Sequence, residues 1–216
     1  MLKKALLLFC TFLLLTGCSV FADYQLKHQL VDSIEQLVEQ QNDTERTRNK
    51  MDTYYKNMES SMNQFQRTIQ ETGKADPNEL QALLKDMDTV IAELRKYKTE
   101  EEKVIEQLDQ LSKQAEELSG ENQQLAKETL NLFKQLIQRE SRLAEVNIQI
   151  LMANKNYYTA IANKKAAPKD QFEPLNQERK KLEKETKSLI QKFNQSWGRF
   201  SEKVTGQPLN KSNHSL

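Results

Sequence analysis

Ser119-Gly120-Glu121-Asn122 interrupts an otherwise continuous run of helical periodicity, and its reading decides the fold. Read as a stop, Gly120 ends one helix and Asn122 caps the next. The chain then doubles back, and its helices form an elongated antiparallel bundle. Read through, a lone glycine costs a helix only about 1 kcal/mol. The second and third segments then fuse into one very long helix, with the first and fourth packed on opposite halves of it. The apolar phase runs straight across Gly120, so both readings remain open. Short links between the segments favour antiparallel neighbours and therefore the hairpin.

Working outward from Gly120, apolar residues recur at alternating steps of three and four, the signature of heptad seams. Asp23 can cap a first helix that runs to about Glu71 and ends at Gly73. Its seam passes through Leu30, Ile34, Leu37, Gln41, Arg48, Met51, Tyr55 and Phe65, with a polar interruption in the middle. Asp76-Pro77-Asn78-Glu79 opens a second helix. Asp76 is the cap, Pro77 fits the first helical position and Glu79 can complete a capping box. The second seam follows Leu80, Leu84, Met87, Ile91, Leu94, Glu101, Ile105 and Leu108. A third passes through Leu125, Thr129, Leu132, Leu136, Arg139, Leu143 and Val146, and breaks at Ala166-Ala167-Pro168. A fourth begins near Asp170 and follows Phe172, Leu175, Leu182, Leu189, Phe193, Trp197, Phe200 and Val204. Each of the first three segments has about 42–48 residues and spans roughly 65–70 Å. The expected fold is all-α, a bundle of long helices with coiled-coil-like seams.

The polar seam positions predict a register. With turns centred between Lys74 and Ala75, at Gly120 and at Pro168, Arg48, Glu101, Arg139 and Trp197 fall in one layer of the bundle. This layer is expected to hold a partly buried Arg–Glu–Arg group, with Arg139 stacked on the Trp197 indole. Its role would be to fix register, because a buried ion pair adds little net stability. The competing reading lets these long side chains reach outward to water.

Composition excludes more functions than it suggests. Charged residues make up 29% of the chain, and five glycines with four prolines punctuate 216 residues, which suits long helices and not a glycine-rich α/β enzyme. The basic and acidic totals, 32 and 31, nearly cancel, so an electrostatic grip on nucleic acid is not expected. His28 and His214 are the two histidines, and no His/Cys/carboxylate cluster has metal-ligand spacing. Neither histidine is placed for a nucleophilic triad, and no glycine-rich phosphate loop occurs. No catalytic residue, metal or cofactor is expected. Two tyrosine pairs stand apart. Tyr55 and Tyr157 lie on seams, so Tyr54 and Tyr158 are expected to point outward, where they could stack on sugar rings or anchor a protein partner.

The amino terminus carries the most specific motif. Lys3 and Lys4 precede an apolar run from Ala5 to Leu15, too short for a permanent span of about 20 residues. Leu15-Thr16-Gly17-Cys18 follows and resembles the lipobox at which bacterial lipoprotein precursors are acylated on cysteine and cleaved. The expected division is a signal peptide over 1–17, a lipidated tether over 18–22, a helical bundle over 23–204 and a disordered tail over 205–216. The other cysteine, Cys10, lies in the signal, which leaves no thiol for the mature body.

This lipobox, the Lys- and Glu-rich helical body and the last helix from Gln171 to Val204 together resemble the YkyA-like cell-wall-binding lipoproteins of Gram-positive bacteria. The resemblance covers nearly the whole chain and implies a non-enzymatic protein on the outer face of the cell membrane. It is expected to be anchored by acyl chains on Cys18 and to bind the cell wall. Beyond Cys18 no functional residue carries over. The alternative expectation is a protein-interaction scaffold that binds a surface protein through its helices or forms a homo-oligomer.

Overall fold

The computed structural model describes residues 2–167, 170, 172–208 and 216, with the side chains of residues 2–21 and 44–50 outside the description. Four helices are described: α1 (Leu2–Thr72), α2 (Pro77–Ala115), α3 (Gly120–Ala162) and α4 (Phe172–Thr205). The fold is an all-α antiparallel bundle. α2 packs along α3 and α3 along α4, while α1 lies on α2 and meets α4 only over a short stretch.

The decisive stretch around Gly120 is a turn, which removes the fused-helix alternative. α2 ends at Ala115, and Ser119 is extended (φ −121°, ψ 157°). Gly120 follows at φ +58°, a left-handed conformation that costs a side-chain-bearing residue energy and glycine none. Leu118 is buried and pins the turn to the core. The cap position of α3 is Ser119, not Asn122. Asp23 completes this turn from α1. Its carboxylate accepts the Ser119 N–H at 3.1 Å and the hydroxyl at 3.3 Å, placing a negative charge at the positive end of α3. Asp23 therefore does not cap α1. The α1 backbone is helical from Leu2, and residues 18–22, expected as a tether, lie within it.

At the opposite end, Gly73 (φ +66°) terminates α1 and its N–H reaches the Ile69 carbonyl at 2.9 Å. Asp76 caps α2 as the sequence predicts, accepting from Asn78 N at 2.7 Å and Glu79 N at 3.4 Å. Glu79 does not reach back to complete a capping box; it accepts from Gln64 of α1 at 3.0 Å.

Two apolar clusters fill the bundle. The lower one, towards Gly120, draws on all four helices, including Leu30, Ile34, Leu108, Phe133, Phe193 and Phe200. The upper one, towards Gly73, draws on α1, α2 and α3, including Met51, Phe65, Leu83, Met87, Leu94 and Ile148. The C-terminal Leu216 packs on the lower cluster and exchanges two hydrogen bonds with Asn194 (2.6 and 3.0 Å). The expected disorder of the tail falls largely on residues 209–215, which lie outside the described residues.

Candidate functional site: a polar layer inside the bundle

A layer of polar side chains separates the two clusters. Gln41, on the α1 seam, is buried, and its amide nitrogen donates at 2.8 Å to Glu101 Oε1 of α2 and at 2.8 Å to Glu140 Oε2 of α3. The Tyr97 hydroxyl, one turn before Glu101, donates to the same Glu140 oxygen at 3.1 Å. One amide thus spends both of its N–H groups on two carboxyl groups from two helices.

Glu101 is 1% exposed. Burial pushes its carboxyl up to about 7, because the ionised form loses its hydration. The Gln41 hydrogen bond and Tyr97 oppose this, while the neighbouring Glu140 charge reinforces it. Two buried oxygens in the layer, Glu101 Oε2 and Gln41 Oε1, have no hydrogen-bond partner.

The structure places Glu101 in a layer as predicted, but with different neighbours. Gln41 bonds it, from a position seven residues or two helical turns below Arg48 on α1. The side chain of Arg48 lies outside the described residues. The slip originates in the link 73–76. Four extended residues reach about 13 Å, enough for the chain to drop back roughly 10 Å along α1 before α2 starts. Asp23–Ser119 and Gln64–Glu79 keep this register at the two ends. Arg139 does not join the layer. It is half-exposed and pairs with Glu185 of α4 at 3.1 Å.

Trp197 is not level with Arg139 either. It follows Ser196, which hydrogen-bonds Thr129 at 2.9 Å, so it sits about three turns lower, buried in the four-helix cluster beside Phe200. The long link 163–171 lets α4 start well below the end of α3, as the Tyr157–Phe172 ring contact shows (5.9 Å).

The tyrosine expectation divides. Tyr54 is outward, with 37% of its surface exposed. Tyr158 is 5% exposed, packed edge-on against Phe65 and Tyr157, with its hydroxyl accepting from Gln66 at 2.6 Å. Burial raises its phenol above the ordinary value. It is a core residue because α1 closes over this face of α3, with Phe65 and Gln66 both reaching it. Cys18 lies on the α1 backbone, and its side chain is outside the description.

Glu140 and Tyr97 went unread in the sequence. Both sit one position off the assigned seams, and the signal was present in their spacing. Glu140 lies between Leu136 and Ala144 at steps of four, and Tyr97 lies four before Glu101.

Among the described residues, no group of three or more His, Cys, Asp or Glu is arranged to hold a metal ion, and no helix is long and apolar enough to cross a membrane. No family model matches the chain, and no curated protein or solved structure matches it either.

Proposed function

We propose that this chain is an extracytoplasmic lipoprotein, anchored through acyl chains on Cys18, whose helical body binds the cell wall without catalysing a reaction. The observation that carries the location is Leu15-Thr16-Gly17-Cys18 behind a short apolar run with Lys3 and Lys4 at its head. A helical backbone from Cys18 into the bundle supports an anchor coupled directly to a stiff post. Nearly balanced charge favours a ligand met by mixed polar side chains over a highly charged polymer. Of Tyr54 and Tyr158, Tyr54 is the one left facing outward for stacking on a sugar ring.

Two measurements test the two parts. Cells fed a clickable fatty acid should label the wild-type chain and not Cys18→Ser; equal labelling of both removes the anchor. Residues 19–216 should pellet saturably with protein-free cell wall and survive moderate salt. A protein that stays in the supernatant removes wall binding. In that event a scaffold role gains ground, favoured by Met152, which lies 48% exposed on α3 as a foothold for a partner helix. Cross-linking on intact cells would then identify the partner.

A further inference from the structure

We propose that the Gln41–Glu101 pair is a proton-binding joint: Glu101 carries a proton on Oε2 and donates it to Gln41 Oε1, closing a cyclic acid–amide pair that ties α1 to α2 between the two cores.

The geometry supplies one edge of this ring and two unsatisfied oxygens for the other. One edge of the ring exists already, as the 2.8 Å bond from Gln41 Nε2 to Glu101 Oε1. Each residue also holds one buried oxygen that lacks a partner, and the proposed second edge joins these two. With Glu101 ionised, both oxygens are acceptors and neither can satisfy the other. A single proton turns Oε2 into a donor and satisfies both at once. The second N–H of Gln41 is committed to Glu140, so the amide cannot turn over to offer Oε2 a donor without losing that bond. Two ionised carboxylates sharing one amide in a buried layer repel, and a proton on Glu101 relieves the repulsion.

Other charged groups stand near this level on each element. On α2, Lys98 is held by Glu145 at 2.7 Å, and Tyr97 donates to Glu140; Glu100, next to Glu101, adds a small unfavourable charge. On α3, Arg139 turns to Glu185, the charged group that α4 brings to this level. On α1, Arg48 lies two turns up the same seam, with its side chain outside the description. Ionisation leaves a buried charge between two apolar clusters, and its relief is for α1 to part from α2 at residues 41 and 101. The joint is therefore closed in mildly acidic surroundings and loosened above neutrality. This inference does not depend on wall binding.

The test is the unfolding equilibrium of the full chain in a mild non-ionic detergent, followed by circular dichroism in denaturant from about pH 4 to about pH 8, for the wild type and Glu101→Gln. The folded pKa of about 7 is raised above the ordinary carboxylate value of 4.5. The contribution of the joint is thus complete below the lower value and lost as pH rises through the upper one. Relative to Glu101→Gln, the wild-type unfolding constant should climb about tenfold per pH unit across that window, about 300-fold in all, and level off above it. An infrared carboxylic-acid band at pH 6 should be present in the wild type and missing from Glu101→Gln. Parallel pH profiles for the two proteins, or no such band, would overturn the proposal. Should Glu101→Gln fail to fold, Glu140→Gln serves instead. Removing that charge must move the wild-type midpoint to lower pH, and an unmoved midpoint would overturn the proposal equally.

Discussion

The lower half of the bundle closes its core with four helices and the upper half with three. In the lower half Phe133 and Phe193 meet across α3 and α4 with ring centres 4.5 Å apart, and Leu30, Ile34 and Leu108 complete the enclosure from α1 and α2. In the upper half Leu83, Met87 and Phe65 are buried, but Met58 and Met62 lie half-buried at the rim and α4 contributes nothing to the cluster. The same heptad pattern therefore yields two different cores, and the number of enclosing helices decides which. Truncation should expose the contrast. Phe133→Ala leaves a hole with fixed walls and should cost about 3–5 kcal/mol. Leu83→Ala opens a hole beside flexible thioethers that can lean into it, and should cost about 2–3 kcal/mol, the low end for such a change. Denaturant unfolding of the two variants measures both. A Leu83→Ala cost equal to that of Phe133→Ala would erase the distinction.

Between the halves, the next largest effect is electrostatic. With the folded Glu101 carboxyl at about 7 against an ordinary value of 4.5, its protonation stabilises the native state by roughly 3 kcal/mol at low pH, all of it lost by the time pH has passed the upper value. Glu145 acts with the opposite sign. Its hydrogen bond to Lys98 holds the carboxyl below the ordinary value, so its contribution is present at neutral pH and lost as pH falls through the depressed value. Stability should therefore decline on both sides of a maximum in mild acid. Glu101→Gln should remove the decline on the alkaline side only, while Lys98→Ala softens the acid side.

Much of this contrast was legible in the sequence, and what escaped has a physical cause. Helix count and the cap at Asp76 follow from local chemistry, which acts over a few residues and leaves its mark there, whereas the stop at Gly120 was one of two open readings. The burial of Gln41 and Glu101 was implied by polar residues standing on an apolar seam. Their partnership was not, because register depends on the path of the links. The link 73–76 falls back along α1, and the longer 163–171 displaces α4 further, carrying Trp197 away from Arg139. The exposed Arg139 and the half-buried Glu140 differ by one position, 100° around the helix. A helix packed between two neighbours buries so broad a face that one seam cannot fix its centre. Tyr158 was misplaced because α1 covers it, with Phe65 edge-on to its ring.

The two turns that bracket α2 offer a smaller contrast. The one before it depends on a side chain and the one after it on a backbone conformation. Asp76→Ala removes the acceptor for the Asn78 and Glu79 N–H groups and should cost about 1 kcal/mol. Gly120→Ala meets no atom within 4 Å of the new methyl, so its cost is the left-handed backbone alone, about 1–2 kcal/mol. Hydrogen exchange should assign the two losses to opposite ends of the bundle. Fraying at the upper turn after Gly120→Ala would show that the ends are not independent.

The smallest effects belong to the ion pairs that stitch the helices, and they too differ by position. Lys98–Glu145 joins α2 to α3 at 2.7 Å with about a third of each side chain exposed, whereas Arg142–Glu178 joins α3 to α4 at 2.7 Å with more of both in water. Hydration competes with Coulomb attraction more effectively at the second pair, and screening by salt reaches it more easily. Double-mutant cycles should return a coupling of about 0.5–1 kcal/mol for Lys98–Glu145 and at most about 0.5 kcal/mol for Arg142–Glu178. Raising the salt should abolish the second before the first. The order matters more than the sizes. If Arg142–Glu178 proves the stronger and more salt-resistant, the α3–α4 interface is held by charge as well as by its apolar stripe, and α4 is an integral wall of the upper half rather than a helix laid against its side.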